Sequence, residues 1–487
     1  MDIKRFPFSK PIFAISVFGF ANHAFGVQFS GFGNALKAFT TNSPSADNSK
    51  KVSLDYENAA STKEKFVTLS KQDPVQSRAM PSPLNSPPFP LSDWLGFYVI
   101  GQPDTTPKYP LQKALFGNKL DKSRIKVYGY LDASFNLSTS RDSNFPMSYA
   151  IVPNQLVLNQ AVLRIERQPD TVQTDHQDWG FRLTNLYGTD YRFTTSKGVL
   201  SDQLLKRNSL YGYDPVEMFG MIYYPKIAQG TVVTFGRYIS PPDIEAQLAP
   251  MNYMFSHSLM FTVDPYTFTG VNAMICLNES TSVLLGAHFG NDMTPWSNSG
   301  MLNGQAMVRW VSKDNKDSFW GGINSLGSGK FRNDHDNIQM VVGTWGHKFD
   351  EKMHMQTEAY YMWQYDALKG GTVIDGPPED WYKNVGAGTL LPGKSDATGL
   401  VNYLQYQTSP TSYLSLRNDY LNDPRGQRTA FATAYSSHTL GYAFQLNPFT
   451  TLRPEVRYEH AYGNVTPYDN GTRRDQWSLS IDMIWRF

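Results

Sequence analysis

The chain of 487 residues carries 44 basic and 43 acidic side chains, and so neutral a balance gives no case for a nucleic-acid partner. Past the extreme N-terminus no stretch approaches the ~20 consecutive apolar residues of a spanning helix, which excludes a helical membrane protein. The single cysteine, Cys276, excludes an intramolecular disulfide and any cysteine-based metal cluster.

In chain order, residues 1–26 read as an export signal. Lys4, Arg5 and Lys10 precede or flank the apolar run from Ile12 to Phe20, and Ala24-Phe25-Gly26 forms a small-x-small cleavage site. The run is too short to span a membrane, so the segment is expected to be removed. Residues 27–120 follow; to about Pro90 they are rich in Ser and Pro with little periodicity, and read as flexible. Trp94-Leu95-Gly96-Phe97-Tyr98-Val99-Ile100 then offers an apolar patch. It reads either as a partial plug docked inside a pore or as a periplasmic linker touching a barrel rim.

From residue 121 the pattern changes. Val127, Gly129, Leu131, Ala133, Phe135 and Leu137 alternate with Lys126, Tyr128, Tyr130, Asp132, Ser134 and Asn136, the period of a strand with one apolar and one polar face. Similar runs predict strands at about 156–167, 178–188, 217–226, 231–238, 267–277, 281–290, 303–312 and 318–326. Others follow at 337–349, 353–365, 397–408, 411–421, 429–446, 451–462 and 475–487, which makes sixteen.

The last run is the clearest. Trp477, Leu479, Ile481, Met483, Trp485 and Phe487 share one face, and Gln476, Ser478, Ser480, Asp482, Ile484 and Arg486 the other. At the edge of a soluble sheet such an apolar face invites aggregation. In a closed barrel it meets lipid, with both edges paired. The connections alternate long and short, and the short ones carry turn chemistry, as in Asp350-Glu351-Lys352, Ser409-Pro410 and Asn447-Pro448. Hairpins meandering through a membrane sort loops this way, whereas a soluble sandwich has no reason to. The expected fold is therefore all-β: a transmembrane antiparallel up-and-down β-barrel of about sixteen strands over 121–487. A secreted soluble β-rich protein is the disfavoured alternative.

Barrels near this size enclose water. On that reading Arg453, Glu455, Arg457 and Glu459 line a pore wall together with Glu358 and Arg417, and Arg164 and Glu166 share the inner face of the second strand. The solvent face of a soluble sheet would look the same. Pro454, inside one of these runs, predicts a bulge or a strand end. The stretch Arg237-Tyr238-Ile239-Ser240-Pro241-Pro242-Asp243-Ile244-Glu245 sets a strand-end arginine beside a stiff proline pair and two carboxylates. Opposed charges sort small ions in water-filled pores, so Arg237, Asp243 and Glu245 are candidate constriction residues. Capping of local turns by Asp243 and Glu245 accounts for the same pattern.

Nothing points to catalysis. There is no Gly-x-Ser-x-Gly, phosphate-binding loop, dinucleotide fingerprint or His-Glu-x-x-His, and the nine histidines lack metal-ligand spacing. Glu455 and Glu459 on one strand lie ~13 Å apart, beyond the glycosidase carboxylate separations. No enzyme activity, metal or cofactor is expected.

Five segments, in order along the chain, carry a family likeness: Asp121-Lys122-Ser123-Arg124-Ile125-Lys126-Val127-Tyr128-Gly129, Ala161-Val162-Leu163-Arg164-Ile165-Glu166-Arg167, Gly236-Arg237-Tyr238-Ile239, Thr344-Trp345-Gly346-His347 and Arg453-Pro454-Glu455-Val456-Arg457-Tyr458. With the aromatic last strand they resemble the putative beta-barrel porin-2 (OmpL-like) family of Gram-negative outer-membrane porins, over about residues 120–487. The resemblance implies a barrel in outer-membrane lipid that passes ions and small hydrophilic solutes by diffusion. It also implies a terminal signal, here Trp485 and Phe487, similar to the one read by the barrel-assembly machinery as a transient partner. It supplies no substrate and no pore residues. Many general porins are homotrimers, but no stretch of the sequence identifies a subunit interface. The competing reading is a structural or adhesin barrel whose lumen is plugged by residues 27–120 and whose loops bind partners.

Overall fold

In the computed structural model the described residues are 100–101, 109–147, 149–241, 244–333, 335–371 and 388–487, all within one compact unit, residues 74–487. The expected export signal, most of segment 27–120 and Asp243 lie outside the described residues.

The strands form one closed antiparallel sheet in simple chain order. They are β1 (Ile125–Ser138), β2 (Leu156–Arg167), β3 (Asp178–Gly188), β4 (Gly212–Tyr224), β5 (Thr231–Ile239), β6 (Thr267–Asn278), β7 (Thr281–Asn291), β8 (Asn303–Val311), β9 (Asp317–Leu326), β10 (Gln339–Lys348), β11 (Met353–Leu368), β12 (Leu390–Ser409), β13 (Ser412–Asp423), β14 (Thr433–Asn447), β15 (Thr450–Ala461) and β16 (Asp475–Arg486). A helix, α1 (Pro110–Phe116), precedes β1. Each strand pairs with its sequence neighbours, and β1 closes the ring on β16. One end of the barrel gathers connections 168–177, 225–230, 279–280, 312–316, 349–352, 410–411 and 448–449. The other gathers 139–155, 189–211, 240–266, 292–302, 327–338, 369–389, 424–432 and 462–474. The loop sorting expected from the sequence is therefore present.

Three strands differ from expectation at their outer ends: β4 starts at Gly212, β12 at Leu390 and β14 at Thr433. The β12 extension pairs Leu390 and Leu391 with Leu368 and Ala367 of β11. It contains Pro392, Gly393 and Lys394 and carries no apolar alternation, because that part of a hairpin has no lipid to face. Pro454 makes neither a bulge nor a strand end. It pairs with Ile481 in an unbroken register on the β16 side. On the β14 side the pairing passes from Gly441/Glu455 to Phe444/Leu452 without a change of register. A proline that interrupts one ladder locally leaves the strand intact when the other ladder continues.

The seam is built around a glycine. Gly129 and Phe487 exchange backbone hydrogen bonds of 2.9 Å in both directions. A Cβ on Gly129 would stand 2.6 Å from the Phe487 ring and 2.3 Å from the Val162 carbonyl oxygen, so the close approach requires glycine there.

Alternation sorts side chains as expected. On β16, Gln476, Ser478, Ser480, Asp482, Ile484 and Arg486 are buried inside, while Met483 and Trp485 are exposed outside. Outside, Trp310, Phe319 and Trp345 stand side by side on β8, β9 and β10 near the short-turn end. Tyr458 packs on Trp477 at 4.7 Å towards the long-loop end. These are the aromatic bands that amphipathic rings form at the two membrane interfaces.

Candidate functional site

The longest connection, residues 240–266 between β5 and β6, does not stay at the rim. Its neck is closed by the Ser240 amide donating to the Tyr266 carbonyl at 2.9 Å. Beyond the neck it forms hydrogen bonds to inward-facing side chains of β2, β9, β11, β12, β13 and β15. A segment that reaches strands on several sides of a closed barrel can do so only through its interior.

The contacts run along the segment in order. The Trp320 indole N–H of β9 donates to the Pro241 carbonyl at 3.0 Å. The Ile244 amide donates to Glu358 Oε2 of β11 at 2.7 Å. Gln160 of β2 receives the Ala249 amide at 3.1 Å and donates to the Gln247 carbonyl at 2.7 Å. Arg453 Nη1 of β15 donates to the carbonyls of Ala249 and Asn252, both at 2.9 Å. Glu455 accepts the Phe255 amide at 3.1 Å and the Ser256 amide at 3.2 Å. Arg457 donates to the His257 carbonyl, the Leu259 amide donates to Asp419 Oδ1 of β13 at 3.0 Å, and the Tyr360 hydroxyl donates to the Met260 carbonyl at 2.9 Å. Charge-assisted bonds of this kind are stronger than neutral ones. Nearly all of them grip the segment's main chain.

Glu245 is the segment's own charged anchor. It accepts the Ser258 amide at 2.9 Å and the Tyr403 hydroxyl at 2.5 Å, and lies 3.3 Å from Arg417 Nη1. Burial pushes its carboxyl above the ordinary value, against the opposing pull of Arg417. Arg417 also donates to the Ser256 carbonyl and, at 3.0 Å, to the Ser256 hydroxyl and to Thr439. His257 stacks on Tyr149 at 3.8 Å and Phe261 at 4.7 Å. Burial holds its imidazole well below the ordinary value, and its ring serves as a packing group.

The sequence-predicted residues separate clearly. Glu245, Glu358, Arg417, Arg453, Glu455 and Arg457 all meet at the crossing segment. Glu459 stands behind it, paired with Arg457 at 2.8 Å and accepting from Gln476 at 2.7 Å. Arg237 goes elsewhere: its guanidinium forks onto Asp214 of β4 at 2.8 and 2.9 Å and donates to the Pro215 carbonyl at 2.8 Å. Trp485 and Phe487 lie at the seam, rings 5.5 Å apart. Sequence reasoning passed over Gln160 and Tyr403 as site residues. Only their inward parity marks them, since each acts on a segment more than a hundred residues away or, for Gln160, nearly so.

A second charged cluster occupies the β2–β4 wall. Arg164 contacts Glu217 at 2.7 Å, and Arg182 contacts Glu166 at 3.0 Å and Glu217 at 3.1 Å. These are the cross-strand ion pairs expected of an inner face. Among the described residues, no group of three or more His, Cys, Asp or Glu side chains is placed to hold a metal ion.

A model of the family described as "Putative beta-barrel porin-2, OmpL-like" matches residues 124–487. A search of curated proteins finds no match. Among solved structures, the outer membrane channel DcaP of Acinetobacter baumannii aligns at 10% identity and TM-score 0.45, covering 74% of this chain and 97% of that one. An anion-selective porin from Comamonas acidovorans aligns at 9% and 0.47, covering 74% and 99%. OmpT of Vibrio cholerae, in a trimer form, aligns at 9% and 0.43, covering 74% and 99%.

Proposed function

The chain belongs to the putative beta-barrel porin-2, OmpL-like family and is a porin of the Gram-negative outer membrane, and from that premise we propose how its lumen is used. It is a channel rather than an enzyme, and it passes ions and small hydrophilic solutes by passive diffusion. Segment 240–266 is its constriction. Glu245, Asp243 and the wall residues Arg417, Glu358, Arg453, Glu455, Arg457 and Glu459 set the field that a permeating ion meets. The observation that carries this reading is the tethering of one segment, through its main chain, to charged side chains across the interior. Arg237, forked onto Asp214, serves the constriction by fixing the strand end from which the segment leaves. In the same reading the aromatic end Trp485–Phe487 is engaged transiently by the barrel-assembly machinery, and the protein assembles as a homotrimer.

Single-channel conductance in a planar bilayer under a salt gradient tests this. Discrete open steps are expected, with a reversal potential set by the constriction charges. One observation favours a second reading, the structural or adhesin barrel with a plugged lumen: every one of those wall residues is buried. An inserted, heat-modifiable barrel that passes no current would favour that reading over the first.

A further inference from the structure

The outward face holds a feature that conduction does not explain. Residues paired directly across neighbouring strands form a row around the barrel. From β8 the row reads Trp310, Phe319 and Trp345, then Thr357, Asn402, Asn418 and His438 on β11 to β14, then Tyr458 and Trp477 on β15 and β16. It starts in the aromatic band near the short turns and ends in the one near the long loops, because barrel strands are tilted. Its middle four residues therefore lie between the two bands, at the depth of the hydrocarbon. Along β12 the outward positions agree: Asn402 falls between Tyr406 at one end and Asp396, which accepts from the Tyr361 hydroxyl, at the other.

Two amides, an imidazole and a hydroxyl at this depth are out of place. Outward positions on β5 to β10 carry Phe235, Val271, Leu285, Val308 and Val341, all exposed. Acyl chains offer no hydrogen-bond partner, and polar groups set among them are costly. Local pairing relieves part of that: Asn402 donates to Thr357 at 2.8 Å, and His438 Nδ1 meets Asn418 Oδ1 at 2.7 Å. The Asn418 amide N–H groups and the second ring nitrogen of His438 have capacity beyond these bonds, and His438 is exposed.

We propose that the outer face of β11–β15, centred on Asn418 and His438, is covered in the membrane by a second copy of this chain. Each of the middle four residues both donates and accepts hydrogen bonds, so the same kinds of side chain on a second copy supply the partners that acyl chains lack. The face is thus the contact face of the oligomer, which rests on the assembly proposed above. Its size is adequate. Five strands spaced about 4.8 Å apart, over an apolar band about 25 Å tall, present roughly 600 Å². Two such faces bury roughly 1,200 Å², the lower bound for stable interfaces.

Cysteine cross-linking in isolated outer membranes tests the proposal without any conductance measurement. With the buried Cys276 replaced (Cys276→Ser), His438→Cys and Asn418→Cys should each give an oxidative dimer of this chain, and Leu285→Cys on β7 should give none. No dimer from either position, equal dimer from Leu285→Cys, or a cross-link to a different protein would overturn it. As a second arm, the triple variant Asn402→Leu, Asn418→Leu, His438→Leu should remain a heat-modifiable barrel but lose the parent's oligomeric size in detergent. A triple variant that keeps that size and melts higher would mean the row faces acyl chains, and the interface would be wrong.

Discussion

Arg417 is the point at which the crossing segment is most dependent on one side chain. Its guanidinium holds the Ser256 carbonyl and hydroxyl, lies 3.3 Å from Glu245 and 3.4 Å from Asp419, and is fully buried. Arg417→Met keeps the volume and removes every donor. Glu245 is then left as a buried carboxylate without its cation. Breaking a buried pair by removing one partner costs about 3–5 kcal/mol, and that cost vanishes if the segment swings out and Glu245 reaches water. The displaced state should therefore gain roughly a hundred-fold or more in population relative to the seated one, since each 1.4 kcal/mol is tenfold. In a planar bilayer the variant should show a larger or noisier open level than the parent, with unchanged heat-modifiability of the barrel. Arg417→Lys, which keeps the charge and loses the planar fork, should fall between them. Identical current histograms for parent and Arg417→Met, with both barrels intact, would refute the idea that Arg417 seats the segment.

Three further outcomes are expected. Glu245→Gln combined with Glu358→Gln removes two carboxyls beside the segment and should move the reversal potential towards anion preference; an unmoved potential would take both out of the permeation path. Gly129→Leu places a side chain against the Phe487 ring and the Val162 carbonyl, which costs at least the ~1–3 kcal/mol of overpacking. Its heat-modifiable fraction should fall, and a fully assembled variant would show that the seam is looser than its geometry. Burial raises the Asp292 carboxyl, at the start of connection 292–302, from 3.8 to about 7. A raised carboxyl contributes stability fully present below the ordinary value and lost as pH rises through about 7. Limited proteolysis of connection 292–302 should therefore be faster at about pH 8.5 than at about pH 5, and Asp292→Asn should flatten that dependence.

Much of the barrel is legible in the sequence because lipid imposes the simplest of patterns. Every strand must present apolar side chains at alternate positions over the thickness of the membrane, and the run from Trp477 to Phe487 does so without exception at its odd positions. The inner faces follow by parity, which is why Arg453, Glu455, Arg457 and Glu459 read correctly as inward. Legibility ends where the lipid ends. The β12 extension at 390–396 has no apolar face to reveal it, and Pro454 looked like a break because one sequence position cannot say that only one of two ladders needs its N–H. The stretch 237–245 reads as one cluster of constriction charges because Arg237 stands close in sequence to Asp243 and Glu245. Arg237 in fact pairs with Asp214, one strand away across a connection of six residues, 225–230. The sequence marks only the start of the crossing segment, through Asp243 and Glu245, since the contacts that seat the rest join main-chain groups to side chains up to about two hundred residues distant.

That last circumstance bears on how such a barrel can change what it admits. Carbonyls and amides are common to every residue, so a wall that holds Ala249, Asn252, Phe255, Leu259 and Met260 through their backbone does not by those bonds prescribe their side chains. Position is encoded largely in the strands, and, Glu245, Tyr253 and Ser256 apart, the segment's side chains can change without breaking the hydrogen bonds that seat it. New solute preferences can arise there by single substitutions while the scaffold that holds the segment in place stays as it is.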